Sequence, residues 1–224
     1  MGHHGYQNDH HNQNNNHRCG YQQRWRRPHG CLTFLIAILS LSLFIFIIIW
    51  KNMDAPLVEF IQRFQSASVN RIMIFFSEIN NIGLIWIILS LILILKNETR
   101  HLGIIILLSL IVTSILGEGI LKNIIKRPRP YISYDNIKLL IPPPSSYSFP
   151  SGHVSSSFAV FGVFYFLNLR YKWPIFIVAF LISFSRIYLG VHYLTDILGG
   201  IILGGGVSYI ICNMKFLKNT KYKG

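Results

Sequence analysis

The chain has 224 residues, of which 51% are hydrophobic and only 13% are charged, and its formal net charge is +13. Soluble domains carry roughly 25% charged residues, so this composition excludes an ordinary soluble domain and indicates an integral membrane protein. A large positive charge often accompanies nucleic-acid binding. Here the basic residues cluster at the ends of apolar runs, so membrane topology explains them first and no nucleic-acid partner is expected.

The first 30 residues are polar and low in complexity, and six of the nine histidines lie among them. Histidine-rich tracts can bind metal, but the spacing here is irregular. We therefore predict a disordered cytoplasmic tail over residues 1–30. A second, basic cytoplasmic tail is predicted over residues 215–224.

Between the tails, residues 31–214 are predicted to form one all-α membrane domain with six transmembrane helices. A spanning helix needs about 20 residues. The first three apolar runs meet this length, whereas the last three have 16 residues each and must borrow flanking residues. The first run follows arginines, as the apolar region of a signal peptide does. It is longer than such a region and no small-residue cleavage site follows it, so we interpret it as a retained anchor. The runs are Leu32–Trp50, Ile72–Leu95, Leu102–Leu121, Val154–Leu169, Pro174–Leu189 and Ile197–Cys212.

Lysine and arginine in the loops predict the orientation of the chain. With a cytoplasmic N-terminus, 12 of the 21 basic residues lie inside and nine outside. Nine basic residues are more than the positive-inside rule expects in outer segments. They are concentrated in residues 122–138, where something other than topology requires positive charge.

The stretch "LKNIIKRPRP", residues 121–130, ends the third apolar run with four cations. Pro128 is expected to end the helix, so that Arg129 folds back from the loop. A basic cluster of this kind flanks many spanning helices. The alternative is a phosphate-binding site, in which the arginine guanidinium groups and the Lys122 ammonium bind the oxygens of a phosphate.

The stretch "PSGHVSSSF", residues 150–158, opens the fourth apolar run. Ser151 is predicted to cap a helix that begins at Gly152 or His153. With the N–H groups of residues 151 and 152 it would form an anion site at the positive end of the helix dipole. His153 would point into that site and exchange a proton; the alternative is an ordinary cap with an interfacial histidine.

The stretch "SRIYLGVHYLTD", residues 185–196, places His192 four residues before Asp196. This spacing predicts that the two side chains share a helix face. A carboxylate bonded to one imidazole nitrogen leaves the other free as a nucleophile. Arg186 adds another cation, although a simple ion pair or a polar interfacial belt would also explain these residues.

In the six-helix topology all three stretches fall on the outer face of the membrane. Together they resemble the three-part signature of the type 2 phosphatidic acid phosphatases, a superfamily that also contains vanadium haloperoxidases and glucose-6-phosphatase. The resemblance covers residues 102–213, and the spacing of the motif residues shows no departure from the pattern. The matching positions are Lys122, Arg129, Pro130, Pro150, Ser151, Gly152, His153, Ser185, Arg186, His192 and Asp196.

The resemblance implies a role for each of these residues. It implies that His192 is the nucleophile, that Asp196 orients it, and that His153 protonates the leaving oxygen. It implies a phosphate cradle and no metal or other cofactor. The cradle residues would be Lys122, Arg129, Ser151, Gly152 and Arg186.

Other polar residues within the apolar runs are open to two interpretations. Glu118 stands four residues before Lys122 and is interpreted either as its partner or as a solvated interfacial residue. Glu78, Asn80 and Asn81 either end a helix or line a substrate entrance. The glycines of the last run, at positions 199, 200 and 204–206, are predicted to allow close helix packing.

The expected function is therefore that of a multi-pass membrane phosphatase in the cell membrane. Its substrate would be a lipid phosphate or diphosphate: undecaprenyl diphosphate in first place, with phosphatidic acid and phosphatidylglycerol phosphate as alternatives. A haloperoxidase is disfavoured because those enzymes are soluble. A transporter or channel would leave the spacing match unexplained.

The topology is directly testable. In a variant with Cys19, Cys31 and Cys212 replaced by serine, a Ser145→Cys substitution should react with an impermeant thiol reagent in intact cells. Labelling only after permeabilisation would mean that the active-site loops face the cytoplasm.

Overall fold

The computed structural model describes residues 1–2 and 54–214. The first predicted apolar run and the basic C-terminal tail lie outside these residues, as does all but the first two residues of the N-terminal tail, so the expectations for them stay predictions. Residues 54–214 contain helices and no strand, which confirms the predicted all-α fold class for this part of the chain.

Eleven helical segments follow one another in the described region. The described part of α1 covers residues 54–62, and the other ten follow it, with a longer loop over residues 134–151. They are α2 (Ala67–Glu78), a 3₁₀ turn (Asn81–Gly83), α3 (Leu84–Leu95), α4 (Arg100–Ser114), which continues as a π-helical segment (Ile115–Leu121), α5 (Lys122–Ile125), α6 (Pro130–Ser133), α7 (Gly152–Phe166), α8 (Lys172–Tyr188) and α9 (Leu194–Asn213).

The second predicted apolar run is not one helix. It divides into α2 and α3, which meet at an angle of 44°. Ile82 has φ 55° and Gly83 has φ 75°, and glycine adopts this left-handed region without the steric penalty of a side chain. Asn80 is fully buried, and its amide donates to the backbone oxygen of His153 at 2.9 Å. The polar residues here therefore end a helix, as one interpretation held, and Asn80 also ties the bend to α7.

The third apolar run continues without a break from α4 through the π-helical segment into α5. The helix ends at Ile125, and Lys126 follows with a left-handed φ of 48°. The termination predicted from Pro128 thus occurs three residues earlier. Arg129 folds back towards the protein interior, as expected, and is only 3% exposed.

Two helical stretches of the described region are long and apolar enough to cross a membrane, Arg100–Ser133 and Leu194–Asn213. A third is added if the bent pair of α2 and α3 counts as one span. Helices α7 and α8 have 15 and 17 residues, below the length of about 20 that a full crossing needs. The described residues therefore provide two or three candidate spans.

Helix α7 packs against α4, α8 and α9. Val154, Ala159, Val160 and Val163 are fully buried along it. Large apolar side chains face outwards on α3, α8 and α9, which suits a surface that contacts lipid. These exposed side chains include Ile88, Leu91, Ile92, Phe180, Ile202 and Ile210.

Glycines allow α9 to approach α7 closely, but only at some of the predicted positions. A Cβ on Gly204 would collide with the backbone oxygen of Ser155 and lie 2.7 Å from the nitrogen of Ala159. Gly199 and Gly200 are also tightly packed. At positions 205 and 206 a Cβ would meet no atom of residues 54–214 within 4 Å, so the described part of the chain shows no close packing at those two glycines.

A pair of alanine substitutions tests this contact. Gly204→Ala should destabilise the protein by about 1–3 kcal/mol, because the added methyl forces the α7 and α9 backbones apart. Gly205→Ala is the matched control and should be neutral or stabilising by about 0.5–1 kcal/mol, since alanine favours the helix. The measurement is the free energy of unfolding in detergent, and equal values for the two variants would contradict the close contact.

Candidate active site

The three sequence stretches meet at one cavity of about 720 Å³. Asp196 lies behind His192 on α9, and Ser151 lies at the start of α7. The other six residues predicted for the site line the cavity: Lys122, Arg129, Gly152, His153, Arg186 and His192.

Lys122 enters the cavity from the first turn of α5 and is 4% exposed. Its Nζ lies 2.8 Å from Oε1 of Glu118 and donates to the hydroxyl of Ser146 at 3.0 Å. Of the two interpretations of Glu118, the structure therefore supports the one in which it is the partner of Lys122.

Arg129 is held by backbone oxygens on two loops. Its Nε donates to the oxygen of Ser146 at 2.8 Å, and its Nη1 donates to the oxygen of Val191 at 2.9 Å. The same Nη1 lies 3.2 Å from Nε2 of His192. These contacts fix a cation directly beside the imidazole.

Arg186 supplies a third buried cation from the last turn of α8 and is 3% exposed. Its Nη1 donates to the hydroxyl of Ser77, and its Nε has no hydrogen-bond partner among the described residues. Within residues 54–214 neither Arg129 nor Arg186 forms an ion pair with a carboxylate. Buried charge without a counter-ion is unfavourable, so this region favours an anionic ligand.

His192 and Asp196 come together, but not on one helix face as predicted. His192 lies in the turn between α8 and α9, and α9 begins only at Leu194. Asp196 accepts a hydrogen bond from the Tyr193 backbone N–H at 2.9 Å and another from the hydroxyl of Ser148. Its Oδ2 lies 3.4 Å from Nδ1 of His192 without forming a hydrogen bond. The turn, rather than helical spacing, brings the pair together.

The environment of His192 favours a neutral imidazole. Burial is the main cause that holds its pKa well below the usual value, and the positive charges of Arg129, Arg186 and Lys122 act in the same direction. In a neutral ring, the tautomer that carries its proton on Nδ1, on the side of Asp196, leaves the lone pair on Nε2. An imidazole in this state is chemically fit to act as a nucleophile.

His153 is the second residue of α7, and a residue of α2 orients its ring. Its Nε2 lies 3.1 Å from the backbone oxygen of Ser77. The hydroxyl of the same serine accepts the hydrogen bond from Arg186. Ser77 thus orients both side chains, although nothing in the sequence distinguishes it from other serines in apolar runs.

The start of α7 differs in detail from the predicted anion site. Ser151 occupies the N-cap position, but its side chain makes no capping bond and its buried Oγ has no partner. Its N–H is also occupied, because it donates to the backbone oxygen of Asp196 at 3.2 Å. At Gly152 a Cβ would collide with Oε1 of Glu118, so a carboxylate already lies against this glycine.

Sequence reasoning missed a buried network behind Asp196. Arg127 donates from Nη1 to Oδ1 of Asp196 at 2.7 Å and to the hydroxyl of Thr195 at 2.6 Å. From Nη2 it donates to Asp54 at 2.6 Å, and its guanidinium lies 4.0 Å from the ring centre of Tyr193. Arg127 stood in the basic cluster without a role of its own, and no sequence signal links it to Asp54, 73 residues away.

The chain is similar to known proteins over most of its length. The family model described as the PAP2 superfamily matches residues 101–220. The chain is 31% identical over 182 residues to an undecaprenyl-diphosphatase of Sulfolobus acidocaldarius, covering 79% of this chain and 86% of that protein. It is 44% identical over 71 residues to phosphatidylglycerophosphatase B of Bacillus subtilis, covering 27% of this chain and 35% of that protein.

A solved structure shares the fold. The crystal structure of a transmembrane PAP2-type phosphatidylglycerolphosphate phosphatase from Bacillus subtilis superimposes with a TM-score of 0.63. The sequence identity is 25%, and the match covers 82% of this chain and 98% of that one.

The Arg127 network gives a prediction. Arg127→Met should lower kcat/KM for a lipid phosphate about 100-fold, equivalent to about 2.7 kcal/mol, because Asp196 loses the side chain that fixes it behind His192. Arg127→Lys should recover little, since one ammonium cannot reproduce the two-sided fork between Asp54 and Asp196.

The neighbouring cation provides the control. Lys126 is exposed, so Lys126→Met removes the same charge from the same segment without touching the network. Equal kcat/KM values for Arg127→Met and Lys126→Met would show that the network has no influence on the site.

Proposed function

The chain belongs to the PAP2 superfamily, and from that premise we propose that it is a membrane lipid phosphatase that acts through a phosphohistidine on His192. The observation that carries the proposal is the position of His192 in a cavity lined by three buried cations and a second histidine. We place this cavity at the outer face of a six-helix bundle in the cell membrane, a location that thiol labelling of Ser145→Cys tests.

The three cations would bind the phosphoryl group before it reacts. Lys122, Arg129 and Arg186 line one cavity, and two of them have no carboxylate partner within residues 54–214. Fixed donors of this kind stabilise negative charge on the equatorial oxygens in the transition state. These side chains supply the positive charge of the site themselves, so we propose a reaction that requires neither metal nor another cofactor.

In the first step, the lone pair on Nε2 of His192 attacks the terminal phosphorus, and the bond from this phosphorus to the oxygen of the leaving group, a lipid alcohol or a lipid phosphate, breaks. Asp196, at 3.4 Å from Nδ1, stabilises the positive charge that develops on the ring. His153 gives its proton to the departing oxygen. General acid catalysis of this type typically contributes about 10²–10⁴ in rate.

In the second step, water attacks the phosphohistidine. His153, now neutral, accepts a proton from this water, and the phosphorus–nitrogen bond breaks. Inorganic phosphate and the free His192 are regenerated. The backbone oxygen of Ser77, 3.1 Å from the His153 ring, would hold this histidine in place through both proton transfers.

The remainder of the cavity supports a lipid substrate. Besides the cations, apolar side chains of the 3₁₀ turn, α3, α4 and the π-helical segment line the cavity. A hydrocarbon chain could lie there while its phosphate meets His192. The apolar residues that line this part are Ile82, Ile87, Leu107, Leu110, Ile111 and Ile115.

We propose undecaprenyl diphosphate as the first candidate substrate. The similarity to an undecaprenyl-diphosphatase extends over most of both chains, which favours a prenyl diphosphate. Phosphatidylglycerol phosphate is the second candidate, because a similar protein and a similar solved structure, both from Bacillus subtilis, carry that activity in their names. Phosphatidic acid is a third.

A transporter or channel is the alternative from another class, and release of phosphate by the purified protein distinguishes it from a phosphatase.

Substitution of the two histidines tests the mechanism. His192→Ala should abolish phosphate release, because the attacking nitrogen is lost. His153→Ala should lower kcat about 10²–10⁴-fold for alkyl phosphates. The loss should be smaller for an aryl phosphate, whose leaving group needs less protonation. His101→Ala is the control, because His101 is exposed at the opposite end of α4. Near-normal turnover by His192→Ala would refute the assignment.

A substrate panel tests the choice of lipid. Undecaprenyl diphosphate, phosphatidylglycerol phosphate and phosphatidic acid should be compared in detergent with EDTA present, and the prenyl diphosphate is expected to have the highest kcat/KM. If a glycerolipid were cleaved more than tenfold faster, a preference of about 1.4 kcal/mol, the prenyl assignment would fail and the phosphatase assignment would stand. A strict requirement for Mg²⁺ would overturn the metal-free mechanism.

A further inference from the structure

Glu118 places a carboxylate inside the cradle proposed for phosphate. It lies in the middle of the π-helical segment Ile115–Leu121, and its Oε1 is 2.8 Å from the Lys122 ammonium. The same oxygen lies against Gly152 at the start of α7, where a Cβ would collide with it. A negatively charged oxygen therefore occupies the position that the sequence assigned to a bound anion.

Among residues 54–214, no other residue that lines the cavity is acidic. Within this part of the chain, Glu118 is thus the one carboxylate in a cavity that also holds the charges of Lys122, Arg129 and Arg186. A phosphate dianion and this carboxylate would repel each other if both stayed beside Lys122. The two anions must compete for the same cation.

The side chain of Glu118 is free to leave. The side chain of Glu118 is 43% exposed, whereas the side chain of Lys122 beside it is 6% exposed. Its backbone also belongs to a π-helical segment, a rare irregularity that often occurs at functional sites. Rotation of the side chain would carry the carboxylate to the cavity mouth and leave the lysine in place, held by Ser146 at 3.0 Å.

We propose that Glu118 is a displaceable counter-ion, which occupies the cradle when it is empty, leaves when phosphate binds, and returns to help release inorganic phosphate. The inference rests on the proposed function, because it needs His192 and the cations to bind a phosphoryl group. Glu118 is a residue that sets how tightly the site holds an anion and takes no part in bond making or breaking.

A purely structural role makes the opposite prediction. If the ion pair only positioned Lys122, then Glu118→Gln would misplace the lysine and weaken phosphate binding. If the carboxylate competes with phosphate, then the same substitution removes the competitor and strengthens binding. The sign of the change in affinity therefore separates the two roles.

The experiment measures product inhibition of the full-length protein in detergent. For Glu118→Gln we expect a Ki for inorganic phosphate at least fivefold lower than that of the unsubstituted protein, and a similar fall in the Ki for vanadate. Because the product leaves more slowly, kcat should fall where release limits turnover. The control is Glu98→Gln, which removes an exposed carboxylate from the loop between α3 and α4 and should leave both Ki values unchanged.

A second variant covers the case in which Glu118→Gln does not fold. Glu118→Ala should lower the Ki for phosphate in the same way, and a thermal unfolding curve of each variant shows whether it is folded. An unchanged or raised Ki in a folded variant would overturn the proposal. This result differs from a failure of the proposed function, in which the unsubstituted protein itself would release no phosphate from any lipid phosphate.

Discussion

The guanidinium of Arg127, which lies between two buried carboxylates, is the contact on which the geometry of the site depends. It joins Asp54, Asp196 and Thr195, so one side chain ties α1 and the first turn of α9 to the loop before α6. Removal of one member of a buried ionic network leaves a charge without a partner, which typically costs about 3–5 kcal/mol. The network therefore fixes Asp196, whose Oδ2 lies 3.4 Å from Nδ1 of His192.

The electrostatics of the cavity differ from those of this network. Arg127 is neutralised by two carboxylates, whereas Arg129 and Arg186 have none within residues 54–214. Lys122 has only the exposed Glu118. Positive charge is thus balanced where it supports the structure and left unbalanced where a ligand is proposed to bind. The same distribution would lower the proton affinity of His192 and attract a phosphate, so that one arrangement of charges would serve both nucleophile and substrate.

Local sequence rules succeeded where the cause was local and failed where it was not. The end of the helix before Pro128, the inward return of Arg129 and the pair of Glu118 with Lys122 depend on neighbouring residues, and the structure shows them. The helix face predicted for His192 and Asp196 was wrong, because α9 begins after the histidine. Capping by the Ser151 side chain was also wrong, although the helix begins where expected.

By itself, the sequence determined the all-α membrane class, the family, and the residues proposed for the chemistry. The class follows from composition. The family and the proposed residues follow from the resemblance of three motifs, which are read along the chain without knowledge of the fold. Only the tertiary structure decided what orients those residues. Ser77, Asn80 and Asp54 act across 73 residues or more, through contacts made when α1, α2 and the bend after it pack against α7, α8 and α9. A serine or aspartate in an apolar run has no local pattern that reveals its partner, because the partner is selected by packing.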